Sequence, residues 1–592
     1  MIAVCALLLA TVADRVLVTA FGAIPNSKED ATEAITRAIA AAKDGSTIEF
    51  PAGDYHFHRE HGQERTLFLS NSDVVNPRKI AILIENRKRL RLLGHRARLI
   101  FHDRVMPLAI LGSEGITVEG FTVDWQRPLM SQGTVLAYDE KGMTLALNRS
   151  EYPYVVEDGK LWFTDSTWKR QPWGCMEFDA ASKGIAYQTG DAGITDGNWR
   201  QAKVSEPEAG QVRFDFPSRR GPTVGNVLAF RHGSRDHAGA FIQDSKNITL
   251  SHVAFRHTSG LGVLAQYTEN LTFKNVDVAP DPRGTRVFAG HDDGFHFSNC
   301  KGHIAIEGCN FEGLMDDPIN VHGTSVRVLA KLSDTTLRCG FMHDQSIGLR
   351  FGDPGDTVSL LDHETLLSRG TLPIKSLKRL SAQEFEITFR NPIPASLNVN
   401  DALENLTWTP SFTVKKSVFG RVRARGLLVS TPKKVVIEEC LFRSSGAAIL
   451  IAGDANGWYE SGAVTNVSIR GNTFDNCNTS TYQFGDAVIS INPEIPNLSL
   501  PFHRNIRIED NAFLTFDLPV LWAKSVKGLN FRGNSITRSQ QFQPWHPNKA
   551  GLTFVGCEDV QVEGNELDRN YRGRTTKVEG GKPETIKITG WP

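Results

Sequence analysis

The sequence predicts an all-β protein: a right-handed parallel β-helix with an N-terminal capping helix and β-barrel-like insertions. Three observations lead there. A nine-residue pattern recurs nine times between residues 115 and 567. One amphipathic helical stretch precedes it. Two long stretches interrupt the pattern, and it resumes after each. A chain of 592 residues is long enough for a large core and for more than one domain.

Residues 1–13 are a short apolar run ending in small residues before Asp14, without a basic start. They resemble the end of a secretory signal and predict a secreted or periplasmic protein. Residues 14–127 are expected to hold the cap and the first coils. Within them, residues 26–43 read as one helix. Ala31, Ile35, Ala38, Ile39 and Ala42 share a face, and Ser27 or Asp30 can cap it. The segment GSTIEFPAGDY (45–55) follows as strand, turn and strand. A helix in this place plugs the open end of a solenoid.

The repeats include GITVEGFTV (115–123), NLTFKNVDV (270–278), NVSIRGNTF (466–474) and DVQVEGNEL (559–567). Their second and fourth places are apolar, and Glu/Arg-Gly is frequent at the fifth and sixth. Each copy is therefore a short strand, a tight bend and a second strand. The seventh place is Asn at 472, 511, 534 and 565, and Cys at 309 and 440. A column mixing these residues points inward, where stacked amides can bond up the column. Cys309 and Cys440 are then small core residues rather than ligands. Residues 128–231 and 324–418 lack the pattern and read as β-rich insertions. Coils occupy 232–323 and 419–592.

Lys+Arg and Asp+Glu each total 66, so charge offers no case for nucleic acid or an anionic membrane. No later segment is long and apolar enough to span a membrane. Eight cysteines without Cys-x-x-Cys suggest neither a disulfide scaffold nor a zinc site.

The chemistry concentrates in HDDGFHF (291–297) and MDDPINVHG (315–323), which lie about one coil apart. As third strands of consecutive coils, they stack Asp292 on Asp316 and Asp293 on Asp317. Carboxylates this close raise one another's pKa. Glycoside hydrolysis needs such a pair, one acid protonated and one base ionised. Direct neighbours suit a retaining reaction, and diagonal pairs an inverting one with room for water. His291, His296, Asn320 and His322 flank the acids as candidate substrate contacts. Trp458 and Glu460, on the glycine-rich loop 452–462, offer a stacking face and a carboxylate. Arg256 and His257 follow a strand on the side leading to the acids, to bind hydroxyls or cap a turn. Arg423 and Arg425 read as structural or solvated. A calcium site is disfavoured because imidazoles are poor calcium ligands.

HDDGFHFSN, MDDPINVHGT, RARGLLVSTPKKVVIEECLF and ILIAGDANGWYESGAV, with FGAIPNSKEDATEAITRAI near the N-terminus, resemble the α-1,3-galactosidases of glycoside hydrolase family 110. The resemblance covers nearly the whole chain. It implies an inverting exo-acting enzyme without metal or other cofactor. It implies removal of terminal α-1,3-linked galactose from an oligosaccharide or glycoprotein glycan, of blood group B type or linear. The family's catalytic acids correspond to Asp293, Asp316 and Asp317, which leaves Asp292 to brace the turn. A homo-oligomer is left open. Two other readings keep the fold: a polygalacturonase-like hydrolase or lyase, and a non-catalytic glycan-binding solenoid. The first needs several groove Lys/Arg, and residues 291–323 contain only Lys301.

Overall fold

A computed structural model describes residues 14–191, 194–481 and 485–591. The signal-like residues 1–13 lie outside the described residues.

The repeats form a right-handed parallel β-helix, the sense in which parallel crossovers run. Their two strands per coil merge into one 24-stranded sheet, and the third strands form a second sheet of 14. Register passes unbroken from coil to coil. Ile304 pairs with Phe412 across an insertion, and Phe412 with Val435. Along the third strands Phe295 pairs with Ile319, and Ile319 with Leu427. Alternating side chains from both sheets fill one continuous core. Phe311, Phe419, Phe442, Phe474 and Phe513 stack along it.

The seventh-place column is a hydrogen-bonded ladder. Asn472 N donates to Asn511 Oδ1 at 3.0 Å, and Asn511 N to Asn534 Oδ1 at 3.0 Å. Each amide also donates to the carbonyl of a residue one coil back, as Asn511 does to Ile469 at 3.0 Å. These bends therefore lose no backbone partner to burial. Cys309 and Cys440 sit in the same column, buried, with their thiols against backbone carbonyls. Asn511→Ala removes one rung and strands the Asn472 N–H. We expect a cost of about 1–3 kcal/mol, read as a lowered urea midpoint with the fold retained.

The capping helix spans Thr32–Ala41 and buries Ala34, Ile35, Ala38 and Ile39. It is shorter than the pattern over 26–43 predicts. Asn26 takes a left-handed φ of 63°, and Asp30 bridges to His56, so the helix begins after both. Asp30 Oδ1 accepts from Thr32 N at 2.6 Å, while Ser27 receives only Glu29 N.

The two interruptions of the helix are both antiparallel. The first is a six-stranded sheet from Met130–Asp139 to Val227–Arg231, with its own core and a three-stranded companion. The second is a closed six-stranded barrel from Val326–Lys331 to Ala402–Asn405. The first rejoins the solenoid beside the Asp pairs. The first returns through Arg231 to Arg235. The second departs directly after the strand Ile319–Thr324.

No helix among the described residues is long and apolar enough to cross a membrane.

Candidate active site

Three successive turns build the site, each just before a third strand. They carry Asp292 and Asp293, then Asp316 and Asp317, then Arg423 and Arg425. The pairing of Phe295, Ile319 and Leu427 sets their vertical order. The chain here is held tightly: Gly262 N donates to Asp293 O at 2.7 Å, and Gly294 N to Asp317 O at 2.8 Å. A Cβ on Gly294 would meet Pro318 O at 2.6 Å, so the close rung approach requires glycine.

These turns open into a cavity of about 490 Å³. Asp293, Asp316, Asp317, Asn320, Trp458 and Glu460 all line it. Asp454, Asp486 and Glu494 add further carboxylates, and Arg235, Arg423 and Arg425 are its cations. Trp458 is 45% exposed, stacks on His343 at 4.3 Å and has the Arg235 guanidinium over its ring at 5.8 Å. Its loop is folded over the site by the short strand Glu460–Ser461, which pairs antiparallel with 323–324. Glu460 accepts from Asn71 Nδ2 at 2.8 Å and from Asn320 Nδ2 at 3.3 Å.

The four aspartates have different electrostatic surroundings. Asp292 is fully buried and receives Arg231 Nη2 at 3.1 Å, Arg235 Nε at 3.0 Å and His291 Nδ1 at 2.8 Å. Burial pushes its pKa up, but Arg235, His291 and Arg231 outweigh that and hold it far below the usual carboxylate range. Arg235 also reaches Asp316 Oδ2 at 2.5 Å. Asp316 is pushed up by burial, yet Arg235, Arg423 and Arg425 bring it below the usual range. Asp317 receives Arg425 Nε and Nη2 at 2.9 and 2.7 Å, as well as Arg425 N. Burial and Asp316 push it up to about 7 against this pull. The two-pronged contact with Arg425 favours its charged form and limits that rise. Asp293 has no direct cation and receives His296 Nδ1 at 2.7 Å. Burial, then the charge of Asp316, raises its pKa well above the usual range. One carboxyl is thus kept protonated beside one kept ionised, the combination that acid–base cleavage of an acetal requires.

Residues 131–228 match GLAA-B beta-barrel domain I, and residues 336–403 match GLAA-B beta-barrel domain II. An α-1,3-galactosidase B of Bacteroides thetaiotaomicron is 42% identical over 584 residues, covering 97% of this chain and 94% of that protein. The chain belongs to glycoside hydrolase family 110. An α-1,3-galactosidase A of Bacteroides fragilis is 36% identical over 592 residues, covering 97% of this chain and 96% of that protein. Among solved structures, a hyperthermoactive exopolygalacturonase of Thermotoga maritima is similar at 10% identity and a TM-score of 0.40, covering 96% of this chain and 92% of that one.

In this family 110 chain, several residues stand elsewhere than the sequence suggests. Arg256 is not in the cavity wall. Its guanidinium donates to the carbonyls of Ala279 and Pro280 and to Asp277, so it ties down a corner of the solenoid. His257 is buried against Trp125 and Phe288 and accepts from Leu129 N. His291 lies behind Asp292, with Trp173 at its edge. His296 and His322 are buried in the wall behind Asp293 and do not line the cavity. Arg423 and Arg425 are corrected in the other direction, since both line it. The register contains this signal: Leu427 stacks on Ile319, so Arg425 stacks on Asp317. Arg235 and Asn71 carry no such signal, because neither lies in a repeat.

Proposed function

We propose that this enzyme is an exo-acting α-1,3-galactosidase that releases terminal galactose from blood group B-type or linear α-galactosyl glycans with inversion. Asp293 is the general acid, Asp316 the general base, and Asp317 with Arg425 orients the sugar and the attacking water. The observation that carries this is the opposite displacement of Asp293 and Asp316 at the floor of one cavity. These two are the diagonal members of the stacked pairs, and diagonal spacing leaves room for the water that inversion needs. A cavity of about 490 Å³ is of small-ligand size. The relatives' names agree with the substrate class.

The cations speak for a neutral sugar over a uronate. Arg235 is engaged by Asp292 and Asp316, Arg425 by Asp317, and Arg423 by Asp191 at 2.6 Å. Seven carboxylates line the same cavity. A uronate would enter against their charge.

Incubation with the B trisaccharide and with linear Galα1-3Gal should release free galactose, and polygalacturonate should release nothing. NMR of the first product should show β-galactose; α-galactose would remove the inverting mechanism. Activity requires Asp316 ionised and Asp293 protonated. The acid limb of kcat/KM should therefore fall below the usual carboxylate range, and the alkaline limb well above it. Both limbs clustered near pH 4 would contradict the assignment.

We also place the enzyme outside the cytoplasm, on the strength of residues 1–13. Sequencing the mature N-terminus from the native host tests this.

A further inference from the structure

A second cavity, of about 310 Å³, opens where the first insertion meets the first coils. Its walls are Arg59 and Lys79 near the N-terminus, the corner 103–104, the insertion hairpin 167–170 and the return segment 234–237. It shares no lining residue with the active-site cavity. The return segment divides the two. Arg235 reaches Asp292 and Asp316 on one side, while Ser234, Asp236 and His237 line the other. Ligand sites favour such junctions between domains.

Two kinds of group in this second cavity lack partners. The first kind is cationic. Arg59 and Arg170 make no ion pair and no side-chain hydrogen bond among the described residues. The other polar groups around them are engaged. Arg104 donates to Asp236 and, at 3.2 Å, to Ser234 Oγ. Lys79 pairs with Glu64 at 3.0 Å. The ring nitrogens of His237 lie against the carbonyl oxygens of Asp236 and Arg104, at 2.6 and 2.8 Å. Burial, then the charge of Arg104, lowers the pKa of Arg170, and Asp236 and Asp103 offset this only in part. A guanidinium so placed is completed by an anion that accepts from its planar fork.

The second kind is buried and uncharged by any neighbour's hydrogen. Asp103 Oδ1, Asp236 Oδ1 and Trp168 Nε1 have no hydrogen-bond partner. Asp103 is 7% exposed and Asp236 4% exposed, and both line the cavity. Their other oxygens are taken, by Thr167 Oγ1 at 2.5 Å and by Arg104. Arg127 and His232 pack on the Trp168 ring and fix its place in the wall. A buried acceptor or donor left in this state costs free energy until a partner reaches it.

Together the two sets select a ligand. An inorganic anion would suit the guanidiniums but be repelled by the carboxylates. A neutral sugar would donate hydroxyls to the carboxylates but leave both guanidiniums unpaired. A sugar bearing a carboxylate or a sulfate meets both needs. Its acid group can face Arg59 and Arg170, its hydroxyls can donate to Asp103 and Asp236, and one of its oxygens can accept from Trp168 Nε1. The volume is at the small end of ligand cavities and suits a single sugar residue.

We propose that this cavity is a second carbohydrate site, which binds one acidic sugar residue, carboxylated or sulfated. It goes beyond the galactosidase reading and does not depend on it, because binding here is read without turnover.

The unaltered enzyme, kept in excess galactose to occupy the active-site cavity, is titrated by calorimetry and saturation-transfer NMR. The methyl α-glycoside of N-acetylneuraminic acid probes carboxylated sugars, and galactose 6-sulfate probes sulfated ones. Methyl β-galactoside and inorganic sulfate are the controls. At least one acidic sugar should bind, less tightly as salt is raised, and the one that binds identifies the acid group. Arg170→Gln should weaken that binding about tenfold or more. Arg59→Gln and Trp168→Phe should weaken it in the same direction. Turnover of Galα1-3Gal, which carries no acid, should be unchanged in all three. Binding of neither acidic sugar overturns the proposal, whether or not any variant folds. So does a control that binds as tightly as the acidic sugars, or binding that is unchanged in folded Arg170→Gln and Arg59→Gln. Failure of the galactosidase reading shows separately, as no galactose released from Galα1-3Gal, and leaves the Arg170→Gln and Arg59→Gln comparison intact.

Discussion

Asp293→Asn should lower kcat on the α-1,3-linked disaccharide by about 10²–10⁴-fold, the usual contribution of a positioned general acid. The same variant should retain most activity on an aryl α-galactoside whose leaving group needs no proton. Asp316→Ala should lose both substrates, because water must be activated whatever departs. Added azide should rescue it by attacking from the water's side, giving β-galactosyl azide. The contrast comes from geometry and charge. Asp316 shares Arg235 with Asp292 and is held ionised, whereas Asp293 has a neutral imidazole at Oδ2 and acids around it. Equal loss in both variants on both substrates, with folding intact, would reverse the division of roles.

Arg235→Met should be the most damaging substitution for stability near the site. Arg235 is the shared cation of Asp292 and Asp316 and is held between them by Nε and Nη2. Removing it leaves two buried carboxylates short of a partner, at a cost of about 3–5 kcal/mol. Arg235→Lys should recover only part of this, since a single ammonium does not reproduce the two-pronged contact. The pH dependence has a definite sign. The folded pKa of Asp292 is depressed, so its contribution is fully present above the unfolded value of about 3.9 and is lost as pH falls through the folded value. In Arg235→Met that depression shrinks. The gap between the two unfolding midpoints should be widest at neutral pH and narrow under acid as Asp292 and Asp316 protonate. A gap independent of pH would mean that Arg235 contributes by packing alone.

The fold was legible because a solenoid turns sequence spacing into spatial distance. The nine-residue pattern marks two strands and a bend in each coil, and the Asn column marks the bend's inward place. The cavity acids followed by the same logic, since Phe295 pairs with Ile319 and carries Asp293 over Asp317. Arg425 was equally readable by that register but lay across the second insertion, where the repeat is broken. Arg256 shows the limit of the method. Its position in the repeat identifies the coil, yet corner geometry sends its side chain to Asp277 instead of the cavity. His296 and His322 were correctly placed beside the acids, but facing was not readable from spacing, and both are buried behind them.

By itself the sequence determined the solenoid, its cap, the places of its interruptions and the stacking of the two Asp pairs. These follow from local periodicity, which depends only on neighbours along the chain and one coil away. Tertiary structure alone decided which acid is neutral and which is charged. That choice depends on Arg235 from the return of the first insertion and on Glu460 from a folded-over loop, to which Asn71, from a segment before the first repeats, donates a hydrogen bond. Charge in a buried site is set by whatever the whole fold brings within a few ångströms, and no repeat pattern records that.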